Sequence, residues 1–445
     1  MTLNRLRPAT TAPVYSLYSF QNFIALFFIL NTMPAFGVID NLVYGHWLGK
    51  GSDKITQVFQ ILMILSSVYL FSRSYRMIGI RTGSTLALLT ITYLFMTSLW
   101  STEPSATIKE AFVYLIVLLG VIGLVGRYRP NEYLGILFIA CFISGVASLL
   151  LLIVSPGNAM MEDGGGMQGI FPHKNILGQV MATGVLAALY HKTKGSFQRT
   201  LKVIGILIFV GLAACSKSAT ALVTIFVFCG TYAFTIGYRA GGGSRTISTA
   251  LAVVAVPILI MVVVYPDAIL ELIGKDPTLT GRTEIWGYVM DDIALKPLFG
   301  WGYFGFWLPT NPYALEIANI VHWFVPQSHN GLLELLLTTG LIGTTLFTIL
   351  FVRNIALAVK CLRTTDSNLA VFTLVYAVGI LMTGISENVL LAPTEPSTTV
   401  FFITGLMCER ALVFARTRQR RPVARSVPRT RPVSAAPADR YSRFR

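Results

Sequence analysis

Charge is what this sequence has least of. Asp, Glu, Lys and Arg make up 12% of its 445 residues, about half of the roughly 25% found in soluble domains. So few charges cannot cover a water-facing surface, and a soluble globular protein is excluded. Cysteine is scarce too, with five in all and no Cys-x-x-Cys or Cys/His metal spacing. No His-Glu-x-x-His, P-loop or Gly-x-Ser-x-Gly occurs, and no Gly-x-Gly-x-x-Gly is followed by an acidic residue at the right distance. ATP-driven and zinc-dependent chemistry are therefore without support. No secretory signal peptide is read, because no small-residue cleavage site follows the first apolar run.

What fills the chain instead is apolar: 54% hydrophobic residues and a mean hydropathy of +0.66. The runs are continuous rather than alternating. Each is near the 20 residues that cross a hydrocarbon core of about 30 Å, where helices satisfy their own backbone. The expected fold is all-α, a polytopic integral membrane protein of about 12 transmembrane helices. The spans are read at 17–38, 55–72, 84–101, 108–126, 132–154, 176–191, 201–214, 217–237, 248–265, 331–352, 368–388 and 397–414, the seventh being short. They leave an N-terminal tail (1–16), a loop at 155–175, a large loop at 266–330 and a basic tail at 415–445.

The two terminal segments and alternate connections together hold 27 of the 35 basic residues. The positive-inside rule then puts both termini in the cytoplasm and both long loops outside, as in a bacterial inner-membrane protein. The net charge of +15 owes much to ten Arg in 416–445. That Pro- and Ala-rich segment reads as a disordered tail drawn to anionic lipid. No aromatic-interleaved basic domain supports nucleic-acid binding.

The polar chemistry gathers in the two long loops. In 266–330, Gly281-Arg282-Thr283-Glu284 opens a helix, and Ile285, Trp286, Val289, Met290 and Ile293 recur at helical spacing. With Asp291 and Asp292 on the polar side, this helix suits a membrane surface. After Pro297, Trp301, Tyr303 and three more aromatics stand among glycines, suited to stacking on sugar rings or to an interfacial belt. His329, at the mouth of the tenth span, is the candidate general base. It can equally be a structural hydrogen-bonding residue, and His322 is the nearby alternative. Asn330 follows it. Glu334 lies one helical turn further on, where a carboxylate needs a partner or water. Gly340 and Gly343 are read as permitting close helix approach. Lys217, beside serines at a helix start, is a candidate phosphate ligand, with snorkelling as the alternative. Gly164-Gly165-Gly166 followed by Phe171-Pro172-His173-Lys174-Asn175 reads as a lid, an acceptor-binding strip or a loose connection.

His329-Asn330, nine residues and then Gly340-x-x-Gly343 together resemble the signature of the O-antigen ligase and polymerase superfamily, in particular its exopolysaccharide polymerases. Gly281–Trp286, Gly300–Tyr303 and Phe171–Asn175 support the resemblance, which covers the third to twelfth spans. It implies that His329 deprotonates an acceptor hydroxyl and that Arg282 grips the pyrophosphate of an undecaprenyl-linked oligosaccharide. It further implies that the second family Arg, in a Ser-Arg pair, is replaced here by Lys217 after Ser216. His173, Asn175, Trp301 and Tyr303 are the expected sugar or acceptor contacts, with Asn330, Glu334, Gly340 and Gly343 in support. No metal or other cofactor is expected, since the lipid pyrophosphate already leaves well. A flippase and a chain-length regulator are the implied protein partners. A glycan ligase needs the same base and cations, so the residues do not separate it from a polymerase. A secondary transporter is the alternative from another class. It is disfavoured by the lack of an internal repeat and of charges at span centres.

Overall fold

The computed structural model describes residues 19–44, 54–78, 82–162, 164–251, 282–364, 367–392 and 395–419. Among them there is no strand beyond one isolated bridge, Met160 to Met167. The helices are α1 (Phe20–Thr32), α2 (Gly37–Tyr44), α3 (Lys54–Ile78), α4 (Thr82–Met96), α5 (Pro104–Arg127), α6 (Pro130–Val154), a single turn α7 (Pro156–Ala159), α8 (Lys174–Tyr190), α9 (Ser196–Cys215) and α10 (Ala219–Ala240). Beyond residues 252–281 come α11 (Arg282–Leu295), α12 (Pro312–Val321), α13 (Gly331–Thr364), α14 (Ser367–Gly384) and α15 (Pro396–Gln419).

Eight helices among the described residues are long and apolar enough to cross a membrane; they are α3 to α6, α9, α10, α13 and α15. A ninth span results if α1 and α2, bent by 65°, are one broken crossing. The chain is thus an all-helical, polytopic membrane protein. The seventh run, expected to be short, is α9 with 20 residues. Of the run at 248–265, residues 252–265 lie outside the described residues, as do 266–281 of the large loop and the whole of 1–16.

At the centre stands α8. Almost every residue from Leu177 to Tyr190 is buried, as expected of a helix apolar on all sides. Small residues let its neighbours come close. A Cβ on Gly178 would stand 2.6 Å from the Ala221 methyl of α10, and one on Gly184 would strike Phe209 of α9. Both His173 and Asn175 sit at the start of this central helix.

Helix α13 is broken. Gly340 takes φ 63° and ψ −170°, so a short limb from Gly331 to Thr339 is set off from the long limb beyond it. A break frees backbone groups that cannot stay unpaired in an apolar setting. A strap at 297–302 satisfies them. The Trp301 and Gly302 amides donate to the Leu337 and Thr338 carbonyls at 2.9 and 3.0 Å, and the Leu341 and Ile342 amides donate to the Pro297 and Leu298 carbonyls at 2.9 and 3.2 Å. A Cβ on Gly340 would lie 2.4 Å from the Leu298 carbonyl oxygen. The glycine therefore admits the backbone of the strap, not the neighbouring helix expected from its spacing. At Gly343 a Cβ would meet the Thr339 hydroxyl and the Tyr93 ring.

The strap and helices α11 and α12 build a second small core on the short limb. Ile285, Val289, Trp301, Phe306, Trp307, Ala314, Ile317, Val325 and Leu337 form it. Helix α11 therefore docks on protein rather than lying free on a membrane surface. Asp292, expected on its polar side, is buried.

Candidate functional site

One carboxylate that the sequence pattern did not single out organises this end of the bundle. The helical run read at 368–388 ends at Gly384. The chain then turns, with the Ser386 and Glu387 amides both bonded to the Thr383 carbonyl. This turn delivers the Glu387 side chain to the start of α8, to α11 and to the turn before α13. Its Oε1 accepts from Asn175 Nδ2 at 2.5 Å and from an Arg282 guanidinium nitrogen at 3.1 Å. The other Arg282 terminal nitrogen donates to the Ser386 carbonyl. The second oxygen, Oε2, faces His329 Nδ1 at 3.9 Å, just beyond hydrogen-bond distance. Burial pushes the Glu387 carboxyl up, but His329, Arg282 and His173 together hold it below the usual carboxylate range.

His329 sits in a left-handed turn at φ 51°, a conformation that costs a non-glycine residue about 1–2 kcal/mol. The turn persists because its surroundings over-determine it. The Ser328 amide donates to Glu334 Oε2 at 2.8 Å, and the Ser328 carbonyl accepts from Trp286 Nε1 at 3.0 Å. Trp307 Nε1 donates to the same Glu334 carboxylate at 2.9 Å. Glu334 thus shapes the turn without touching the imidazole. Asn330 is the N-cap of the short limb, its Oδ1 accepting from the Leu332 and Leu333 amides. The His329 side chain is 16% exposed, while its Nδ1 is buried and unbonded.

His173 caps α8, its Nδ1 accepting from the Asn175 amide at 3.2 Å. Burial, outweighing the charge of Glu387, holds its pKa below that of free histidine. Nearby, Glu395 is partly exposed but its Oε2 is buried and unbonded, and burial and the Glu387 charge push it up to about 8. Among the described residues, no group of three or more His, Cys, Asp or Glu is arranged to hold a metal ion.

The structure thus brings His329, Arg282, Asn175 and His173 together around Glu387. Lys217 makes no contact with them, although the start of its helix reaches Ser386 through the Thr220 hydroxyl at 3.1 Å. Lys217 lies in the turn between α9 and α10, exposed and left-handed at φ 53°. Its Nζ donates to the Gly164 carbonyl at 3.3 Å. Lys174 reaches the adjacent Gly165 carbonyl at 2.8 Å, so two lysines shape the glycine loop. That loop is not a loose connection: Gln168 Nε2 donates to the Asn158 and Met160 carbonyls, and the Met167 amide to the Cys215 carbonyl.

The expected sugar-stacking faces are corrected. Trp301 and Tyr303 are 4% and 3% exposed. Trp301 donates to the Asp292 carbonyl and is covered by Tyr313 and by Lys296. Tyr303 donates its hydroxyl proton to the Leu391 carbonyl at 2.7 Å. Both rings are committed to holding the strap. The aromatic left open beside His329 is Trp323, 47% exposed, its ring centroid 6.4 Å from that of His329. It stands one residue after His322 in an aromatic pair, a position the residue pattern alone gave no reason to prefer.

A membrane-embedded helical bundle with an imidazole, a guanidinium and a carboxylate converging at one end is the arrangement in which residues 203–348 match the family described as O-Antigen ligase. The resemblance read from the motifs is thereby shown, and the match takes in Lys217, Arg282, His329, Gly340 and Gly343. More particularly, the chain is similar to the exopolysaccharide production protein ExoQ of Rhizobium meliloti (strain 1021). The two are 27% identical over 277 residues, which is 58% of this chain and 61% of that protein.

Proposed function

We propose that this protein polymerises lipid-pyrophosphate-linked oligosaccharide repeat units into exopolysaccharide at the extracytoplasmic membrane face. The observation that carries the reading is the meeting of His329 and Arg282 on Glu387 at one end of the bundle. The second imidazole nitrogen, Nε2, takes the proton of an acceptor hydroxyl. A guanidinium opposes the charge that develops on a departing diphosphate. The undecaprenyl carrier, the absence of a cofactor requirement, and a flippase and chain-length regulator as partners follow from the family resemblance. Trp323, open beside His329, takes over the sugar-contact role first given to Trp301 and Tyr303.

The description O-Antigen ligase favours a second reading, transfer of a finished glycan from the same carrier. Deletion of the gene followed by gel analysis of surface polysaccharide tests the two. Loss of high-mass polymer supports polymerisation. Intact polymer left on its carrier supports ligation, and unchanged surface glycan with lost solute uptake would support a transporter.

The accompanying topology is twelve spans in the inner membrane with both termini cytoplasmic, as the basic residues dictate. Pro277→Cys and Pro432→Cys, each in a Cys-free background, are expected to label from opposite sides with an impermeant reagent. Equal labelling of both in intact spheroplasts rejects the arrangement.

Lys217 serves as a second point charge for the diphosphate in this reading. Lys217→Arg is expected to retain polymer synthesis. Lys217→Ala is expected to lose about 30- to 1,000-fold, the effect of removing a contact of about 2–4 kcal/mol to the developing diphosphate charge. Synthesis within about threefold of wild type at matched expression would reduce Lys217 to an anchor of the glycine loop.

A further inference from the structure

The two oxygens of Glu387 serve different partners, and only one is engaged. Oε1 holds Arg282 and Asn175. Oε2 points at the buried, unbonded Nδ1 of His329 from 3.9 Å. A buried imidazole nitrogen without a partner is unfavourable, and a small displacement of either side chain would supply one. Asn175 anchors Oε1 as a pivot, and the ion pair with Arg282 restrains the carboxylate from turning about it. By the function proposed above, that same guanidinium is the group a diphosphate must engage.

We propose that Glu387 is a positioning residue that passes from Arg282 to His329 when the lipid-linked donor arrives, so that donor binding arms the base. With its diphosphate in place, the donor draws the guanidinium off Oε1. The freed carboxylate closes on Nδ1–H of His329, fixing the tautomer whose lone pair is on Nε2. The acceptor O–H bond then breaks, its proton going to Nε2. The acceptor oxygen bonds to the anomeric carbon as the bond from that carbon to the diphosphate oxygen breaks, its electron pair leaving with the diphosphate. Nδ1 keeps its proton throughout, hydrogen-bonded to Glu387, whose charge stabilises the imidazolium. Without donor, Arg282 and Glu387 satisfy one another and the base is left unoriented. This arrangement suppresses attack by water on a carrier that is only partly bound.

The inference rests on the polymerase or ligase reading, and its signature is a split between affinity and turnover. In Glu387→Gln the amide neither neutralises Arg282 nor repels a diphosphate. The purified full-length variant is expected to bind undecaprenyl diphosphate about tenfold more tightly than wild type. Its kcat, with the lipid-linked repeat unit extracted from host membranes, is expected to fall at least 100-fold. A carboxylate that is merely structural predicts weaker binding together with lower turnover, and that result overturns the proposal. Unchanged kcat overturns it as well. If Glu387→Gln does not accumulate, Glu387→Asp keeps a negative charge opposite the Arg282 guanidinium while drawing the carboxylate further from His329, which it already faces from 3.9 Å. Its affinity is expected to be unchanged while kcat falls. Equal affinities of wild type and Glu387→Gln, with His329→Ala inactive, reject the exchange alone. An active His329→Ala and no binding of undecaprenyl diphosphate by either protein reject the parent reading.

Discussion

Replacing His329 by Ala is expected to abolish high-mass polymer while the protein still accumulates in the membrane. Loss of a general base costs about 10²- to 10⁴-fold, and removing the ring breaks no hydrogen bond at Nδ1, which has no bonded partner. The left-handed backbone at this position calls for a second variant. His329→Asn keeps a residue that tolerates this conformation and is expected to be equally inactive, which separates lost chemistry from a lost turn. His322→Ala provides the contrast. That histidine also adopts a left-handed conformation, at φ 62°, but it ends α12 and has no place around Glu387. Its loss is expected to leave synthesis within about threefold. Gel analysis of polymer at matched expression reads all three, and an active His329→Ala beside an inactive His322→Ala would mean that the wrong imidazole was chosen.

Arg282→Lys is expected to be nearly as damaging, about 30- to 150-fold. The guanidinium spans the Ser386 carbonyl and Glu387 Oε1 with two different nitrogens. An ammonium keeps the charge and loses that fork, and a contact worth about 2–3 kcal/mol corresponds to such a factor. Alanine is the poorer probe here. It would leave the Glu387 carboxylate buried without its ion pair, and breaking such a pair costs about 3–5 kcal/mol of stability. A lifeless Arg282→Ala would therefore say little about catalysis, whereas an Arg282→Lys protein with wild-type synthesis would remove the diphosphate grip from the mechanism.

Most of the helical architecture was legible because apolar runs of membrane length admit few alternatives. His329, Arg282, His173 and Asn175 were legible because each stands in a local motif. Glu387 was not. It follows an apolar run and precedes another, so it read as the tail of a span, and its partners Asn175 and Arg282 lie 212 and 105 positions away. No local pattern carries contacts of that range. A carboxylate at the end of a predicted span was nonetheless a signal, because such a group requires a partner. Trp301 and Tyr303 failed for a related reason. Residue type marks a ring as able to stack on sugar, but burial by the strap was decided by backbone bonds to α13 that side-chain patterns do not encode. Gly340 was noticed for its spacing, yet its spacing could not distinguish a helix-packing glycine from a helix-breaking one.

The broken helix bears on how the chain is threaded into the bilayer. The apolar run from Gly331 to Arg363 is 33 residues, about 50 Å of helix against about 30 Å of hydrocarbon. A run of that length offers insertion more than one frame. If the frame begins near Gly331, Glu334 is drawn toward the lipid at a cost of a few kcal/mol. If it begins near Leu341, the remaining limb still spans the membrane and the histidine turn stays clear of it. Only the second frame leaves the carbonyls of Leu337 and Thr338 and the amides of Leu341 and Ile342 open to the strap. The strap is synthesised before the helix it clasps, so a segment already made selects the register of the segment that follows. Transplanted without residues 297–302, this helix would be free to slide by two to three turns, carrying His329 away from Glu387.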